Sequence, residues 1–190
     1  MRIILASGSP RRRELLEMLG VKNLTIHPAV GEEIIPPGAG PEQTVMALAA
    51  GKCSEVAALY GPEDLIIAAD TVVAAEGKIL GKPRTREEAV SMLGSLSGRE
   101  HRVFTGLAVK CRGQSVCEYE ETAVRFRQMT GREISAYADS GECMDKAGAY
   151  GIQGKGGYFV SGITGDYYNV MGLPLCRLGV ILGRLGVDLI

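Results

Sequence analysis

The sequence predicts a single α/β domain built on a mixed β-sheet flanked by helices, and three observations carry that prediction. Apolar runs at residues 2–6 and 65–74 are the length of buried strands and too short for independent helices. Between and after them lie stretches with helix-start signals or a 3.6-residue apolar period. Residues 102–111 and 115–127 then read as two consecutive long strands joined at Arg112-Gly113, which adds an antiparallel portion to an otherwise crossover-connected sheet. At 190 residues the chain suits one domain spanning 1–190, with room for two lobes. A chain of this size buries roughly 70% of the surface its unfolded form exposes, so it needs no covalent or metal staple.

The elements follow in order. After the first strand, Ser7-Gly8-Ser9-Pro10 stops the apolar run, and Ser9 at the N-cap with Pro10 at the first helical position opens a helix to about Leu19. Leu15, Leu16 and Leu19 face inward, and Gly20 ends it. Residues 24–28 form a second strand, followed by a Pro/Gly-rich loop over 30–41. Pro41 starts another helix, ending near Tyr60-Gly61. The central strand 65–74 is interrupted by Asp70-Thr71, and Glu76-Gly77 turns it back into residues 78–80. A third helix over 86–96 places Ala89, Met92, Leu93 and Leu96 on one face. The two long strands follow, then a helix over 130–140, a Gly-rich stretch over 145–172, and a closing helix over 173–185 weakened by Gly179 and Gly183.

Composition excludes some functions. Lys and Arg number 21 against 22 Asp and Glu, so no broad cationic field exists for nucleic acid or an anionic membrane. The longest apolar run falls short of the roughly 18–20 residues of a membrane span, and residues 1–6 are interrupted too early for a secretory signal. Cys53, Cys111, Cys117, Cys143 and Cys176 form no CxxC and no Cys/His metal spacing. An odd count suits a reducing compartment, and a cytoplasmic location is the expectation.

The chemistry concentrates in five places. Ser7-Gly8-Ser9-Pro10-Arg11-Arg12-Arg13 joins a strand to a helix N-terminus, where N–H groups and the helix dipole favour an anion. Ser7 or Ser9 can add a hydroxyl donor. Three arginines in a first turn oppose the dipole, and a bound anion would offset that conflict. The segment is no P-loop, since GxxxxGK[ST] is absent. Asp70 interrupts an apolar strand, which places it at a strand end or in a site, because a buried unpaired carboxylate is costly. It can ligate Mg²⁺ or act as a general base toward water.

Lys52 falls within the apolar stripe of its helix, among Leu48, Ala49, Val56 and Leu59, and either snorkels or reaches into a pocket. Lys82 occupies a rigid turn, Leu80-Gly81-Lys82-Pro83. Glu32 and Glu33 lie on the loop after the second strand, and with Asp70 could hold a metal. Last, residues 145–154 surround Gln153 with small residues, so backbone can approach a flat ligand while the Gln amide offers donor and acceptor to a base edge. Tyr150 there either stacks on a ligand or packs.

These segments together resemble the Maf family of nucleotide pyrophosphatases. The likeness is carried by residues 5–12, Ala69-Asp70-Thr71-Val72-Val73, Gly81-Lys82-Pro83, Leu96-Ser97-Gly98, residues 145–154 and residues 163–174, in order along nearly the whole chain. The resemblance implies an ITPase-like fold with a curved mixed sheet and two lobes around a cleft. It also implies a metal-dependent homodimer, using Mg²⁺ with Mn²⁺ or Co²⁺ as alternatives, that cleaves nucleoside triphosphates between the α and β phosphates. By the same resemblance Asp70 is the proton acceptor and, with Glu33, a metal ligand. Ser7, Arg12, Lys52 and Lys82 match phosphate-holding positions, and Arg11, Thr71 and Gln153 match positions of substrate choice. Gln153 after Gly151-Ile152 is similar to the subgroup acting on dTTP, UTP and modified pyrimidine nucleotides. The alternatives are a 7-methyl-GTP or purine triphosphate enzyme, and a non-catalytic nucleotide sensor in cell division. Val30-Gly31 before the acidic pair departs from the residues relatives often carry there.

Overall fold

The computed structural model describes residues 1–189. Strand β1 (Ile3–Leu5) pairs in parallel with β2 (Leu24–Ile26) and with β3 (Leu65–Ala75), Ile4 lying opposite Thr25 and Ile66. Strand β4 (Lys78–Leu80) folds back antiparallel on the end of β3. Strands β5 (Glu100–Cys111), β6 (Gln114–Phe126) and β7 (Val160–Thr164) complete a seven-stranded mixed sheet of order β2-β1-β3-β5-β6-β7, with β4 on β3. Both hairpins turn on a pair of left-handed residues, Glu76-Gly77 and Arg112-Gly113, the backbone twist that a tight hairpin needs.

Among the described residues six α-helices accompany the strands: α1 (Pro10–Met18), α2 (Pro41–Ala57), α3 (Arg86–Leu96), α4 (Gly131–Asp139), α5 (Tyr167–Met171) and α6 (Leu175–Arg184). Thr85 caps α3 by accepting the Glu88 N–H. Thr130 and Glu133 close a reciprocal capping box on α4. The N-cap of α1 is Ser9, as expected, but its hydroxyl makes no capping bond, and its N–H instead donates to Ser7 Oγ at 3.2 Å. Leu19 is only half-buried and forms the C-cap.

Two elements depart from the sequence expectation. β7 and α5 occupy the Gly-rich stretch after residue 145. Val160-Ser161-Gly162-Ile163-Thr164 has no alternating apolar pattern, and its strand exists through pairing with β6, not through propensity. Five residues of α5 are too few to show a period.

The chain divides into two compact units. The first comprises Met1–Asp70, Thr105–Glu120 and the chain from Gly172 onward; the second comprises Thr71–Phe104 and Glu121–Met171. In the first, Ala49, Cys53 and Val56 of α2 pack with Ile4 of β1, Ile66 and Ala68 of β3 and Ala108 of β5. Burial pushes the Cys53 thiol up to about 12, so it behaves as a small apolar side chain. In the second unit Leu93 and Leu96 of α3 pack with Val124, Phe126, Ile134 and Tyr137. Each such side chain contributes about 1.5–3 kcal/mol when fully buried. All five cysteines are free thiols.

Candidate active site

Strand β1 delivers Ser7 two residues beyond its last paired residue, Leu5, and the turn into α1 brings Arg12 back toward it. Arg12 Nη1 donates to Ser7 Oγ at 3.0 Å, and Arg12 Nε donates to the Gly172 carbonyl at 2.8 Å. Burial lowers the Arg12 guanidinium to about 10; Asp70 opposes that shift and Arg11 adds to it. The group is still charged at neutral pH, and these two bonds fix it on neutral oxygens. Such a cation favours a nearby anion. Of the expected arginine trio, Arg13 turns aside and pairs with Glu17 at 2.7 Å, while Arg11 is half-buried.

The second group centres on Lys52. Its stem lies among buried Leu48, Ala49 and Val56 of α2, and its Nζ reaches Asp70 Oδ1 at 2.5 Å and Glu33 Oε1 at 2.7 Å. Leu59 is not part of this stripe; it is exposed beyond the end of the helix. The three side chains come from α2, from β3 and from the loop after β2. One ammonium therefore brackets two carboxylates. Their oxygens converge on a single cation, and the side chain of Asp70 is only 14% exposed. Of the acidic pair, Glu33 is the member that reaches Lys52.

The loop carrying Glu33 is held by a residue that the sequence reading passed over. Glu55 Oε1 accepts the Val30 N–H at 2.8 Å, and the Gly31 N–H lies 3.1 Å from Glu55 Oε2. A Cβ at position 31 would stand 2.7 Å from that Oε2, so glycine is what allows the loop to close on Glu55. Lys52 and Glu55 are three apart on α2 and share a face. One grips the side chain of Glu33 and the other its loop backbone. The i,i+3 spacing was the available signal for Glu55.

Among the described residues, no group of three or more His, Cys, Asp or Glu is placed to hold a metal ion. The Glu33–Asp70 pair nevertheless fits a hard divalent cation. Its two oxygens already face one positive centre, and Mg²⁺ takes one or two carboxylates with substrate phosphates and water.

Thr71, Lys82 and Gln153 belong to the second unit. Thr71 follows Asp70 on β3 and is half-buried. Lys82 is exposed beyond β4, where the neighbouring Gly81 carbonyl accepts the Gly148 N–H at 3.0 Å. Gln153 is exposed on its loop. Tyr150 packs: it is 5% exposed, edge-on to Phe126, with its hydroxyl 2.8 Å from His101 Nε2. Burial lowers the His101 imidazole to about 4.

Comparison with known proteins places the whole chain among relatives of the same fold and family. A HAM1 protein from Coxiella burnetii superimposes with a TM-score of 0.51, covering 97% of this chain and 99% of that one at 14% identity, a likeness of fold alone. It bears out the expected ITPase-like architecture. Proteins named dTTP/UTP pyrophosphatase from Bacillus cereus (strain AH187) and Bacillus anthracis (strain CDC 684 / NRRL 3495) are each 49% identical over 187 residues, 98% of this chain and 97% of theirs. A family model described as Maf-like protein matches residues 2–185. With the quoted motifs in order along that whole length, the chain belongs to the Maf family.

Proposed function

We propose that this chain is a hydrolase that converts dTTP and UTP, and modified pyrimidine nucleotides of the same shape, to the monophosphate and pyrophosphate. The observation that carries the reading is Lys52 held between Asp70 and Glu33, in the unit where half-buried Arg12 offers a second positive charge. Acids have no place near a polyanionic substrate unless they handle a proton or a cation. The names of the relatives supply the substrate class.

In the proposed reaction a water oxygen bonds to the α phosphorus as its proton passes to the Asp70 carboxylate. The bond from that phosphorus to the α–β bridging oxygen breaks, and pyrophosphate leaves with the electron pair. Asp70 then returns its proton to solvent. Ser7 and Arg12 hold phosphate oxygens, and Lys52 orients Asp70 through their ion pair while adding positive charge where negative charge accumulates. By resemblance Lys82 also binds phosphate. Mg²⁺ bound by Glu33 and Asp70 would supply further neutralisation of phosphate charge. Arg11, Thr71 and Gln153 select the base, the Gln153 amide supplying the donor and acceptor that a pyrimidine edge requires. A cytoplasmic homodimer is part of the same proposal, and sedimentation of the purified chain tests the assembly.

The deciding experiment is Mg²⁺-dependent pyrophosphate release over dTTP, UTP, GTP and 7-methyl-GTP. Preference for dTTP and UTP supports the reading. Preference for a purine replaces the substrate class, and tight binding without release from any of them makes the chain a nucleotide sensor.

A further inference from the structure

Gln153 lies in an arc of chain with no strand or α-helix of its own, yet both ends of that arc meet on one carboxylate. At the near end the Gly151 N–H donates to Tyr137 Oη at 3.2 Å, and the Tyr137 hydroxyl donates to Glu142 Oε1 at 3.1 Å. At the far end the Lys155 N–H donates to Glu142 Oε2 at 3.1 Å, and the Gly156 N–H to Oε1 at 3.4 Å. Ile152, Gln153 and Gly154 form the span between these points. Lys146 holds the segment that bears the carboxylate, donating from Nζ to the Glu142 carbonyl at 2.5 Å.

The closure is tight enough to specify glycine. A Cβ at position 154 would sit 2.3 Å from Glu142 Oε1, and one at 156 would sit 2.6 Å from the Gly151 carbonyl oxygen and 2.8 Å from Tyr137 Oη. The phenol itself does not drift. Tyr137 is buried on α4, packed edge-on against Phe159, and burial holds its hydroxyl in the protonated, donating form. The relay therefore has one direction, amide to phenol to carboxylate.

We propose that Glu142, directly and through Tyr137, is a positioning residue that sets base selectivity by holding the 151–156 loop, and with it Gln153, in one conformation. It rests on the reading of Gln153 as the base-selecting residue. Glu142 is assigned no contact with substrate; its three bonds are spent on Tyr137 and two loop amides. A loop fixed at both ends presents its side chain in one geometry, and specificity depends on that geometry. Released, the same amide samples many orientations and distinguishes bases poorly.

The test compares Glu142→Ala, Glu142→Gln and Tyr137→Phe with the parent chain. Glu142→Ala is expected to lose roughly tenfold or more of the exchange protection of the Lys155 and Gly156 amides, while the amides of α3 and α4 keep theirs. Its preference for dTTP over GTP should fall about tenfold through the KM for dTTP, with kcat within a few-fold of the parent. Glu142→Gln keeps one acceptor and should fall between the two; Tyr137→Phe should move the same quantities less. Unchanged protection in Glu142→Ala overturns the clamp. Lost protection with unchanged base preference overturns its link to selectivity, as does an equal fall in kcat for every triphosphate. Should Glu142→Ala not fold, Glu142→Gln and Tyr137→Phe decide the matter by the same readouts. Absence of pyrophosphate release by the parent chain would defeat the proposed function instead. The clamp would then be judged on amide exchange and on nucleotide binding by calorimetry.

Discussion

The two compact units hold their functional groups with different materials. In the first unit, side-chain charge does the holding: Lys52 bridges Asp70 and Glu33, and Arg12 is fixed by Ser7 and the Gly172 carbonyl. In the second, the loop around Gln153 is held by backbone N–H groups donating to Glu142 and Tyr137, with glycines removing whatever would obstruct the approach. A charge network tolerates little chemical change, because removing one partner strands another in a partly dry site. A backbone-held loop tolerates change in the side chain it displays, because its conformation comes from elsewhere. The first arrangement suits invariant chemistry, and the second suits a group whose task is discrimination.

The largest expected effect strikes the charge network at its acid. Asp70→Asn keeps the shape and an acceptor for Lys52 but cannot take a proton. Turnover of dTTP should fall roughly 1,000-fold or more, with binding of a non-hydrolysable triphosphate nearly unchanged. Near-normal pyrophosphate release in that variant would remove Asp70 as the base. Lys52→Ala should lower kcat/KM about 100-fold, because it both weakens phosphate binding and leaves Asp70 and Glu33 facing each other without their cation. An effect confined to KM would limit Lys52 to ground-state binding.

The second unit carries its own acid sensitivity, unrelated to chemistry. His101 is buried, with Nε2 on the Tyr150 hydroxyl and, among the described residues, no hydrogen-bond partner for Nδ1. Its ring stays neutral in the fold down to about 4. In the unfolded chain imidazole takes up a proton below about 6.5. The unfolded state therefore binds more protons between those values, and stability falls as pH drops from about 6.5 to about 4. The loss is on the order of 3 kcal/mol from this group. Urea titrations at pH 7 and pH 4.5 measure it, and His101→Leu should remove much of the difference. An equal pH dependence in that variant would assign the acid sensitivity to the carboxylates instead.

How legible each region was in the sequence follows from the same contrast. Asp70 and Lys52 interrupt apolar patterns, and an interruption is visible in one dimension. The apolar period of α3 and the two Gly-containing turns were equally local, so helix and hairpin positions emerged within a few residues of those observed. β7 was hidden because its pairing with β6 is decided by a partner some forty residues away. Glu142 and Tyr137 were hidden for a related reason: their partners are backbone amides, which every residue possesses and no motif marks. Gln153 was noticed through its glycines, although what those glycines admit is a carboxylate of the same chain. Tyr150, open to either stacking or packing, packs.

The comparison predicts a smaller and different response when Gln153 itself is changed. Gln153→Glu leaves in place the bonds that the Gly151, Lys155 and Gly156 amides make to Tyr137 and Glu142, but removes the amide donor from the displayed group. The expected outcome is about a tenfold shift in the ratio of kcat/KM for dTTP and GTP, with the Lys155 and Gly156 amides protected as before. Unchanged selectivity would take base reading away from Gln153.

The smallest effect should come from the one place where the first unit borrows the second unit's method. Gly31 lets its own N–H and that of Val30 reach Glu55, so the position of Glu33 depends partly on backbone bonds. In Gly31→Ala the new methyl group would displace the far end of a flexible side chain, not backbone, so the fold should survive with a cost of about 1 kcal/mol or less. Glu55 would swing away, the loop would loosen, and Lys52 would keep Asp70 while holding Glu33 less often. A several-fold weaker Mn²⁺ affinity by paramagnetic titration, with kcat at saturating metal nearly preserved, is the expected signature. In a Glu55→Ala background the same glycine substitution should add nothing, because the clash and the bonds are then both gone. Additive losses in the double variant would mean that Gly31 and Glu55 act separately, and that Glu33 is held by Lys52 alone.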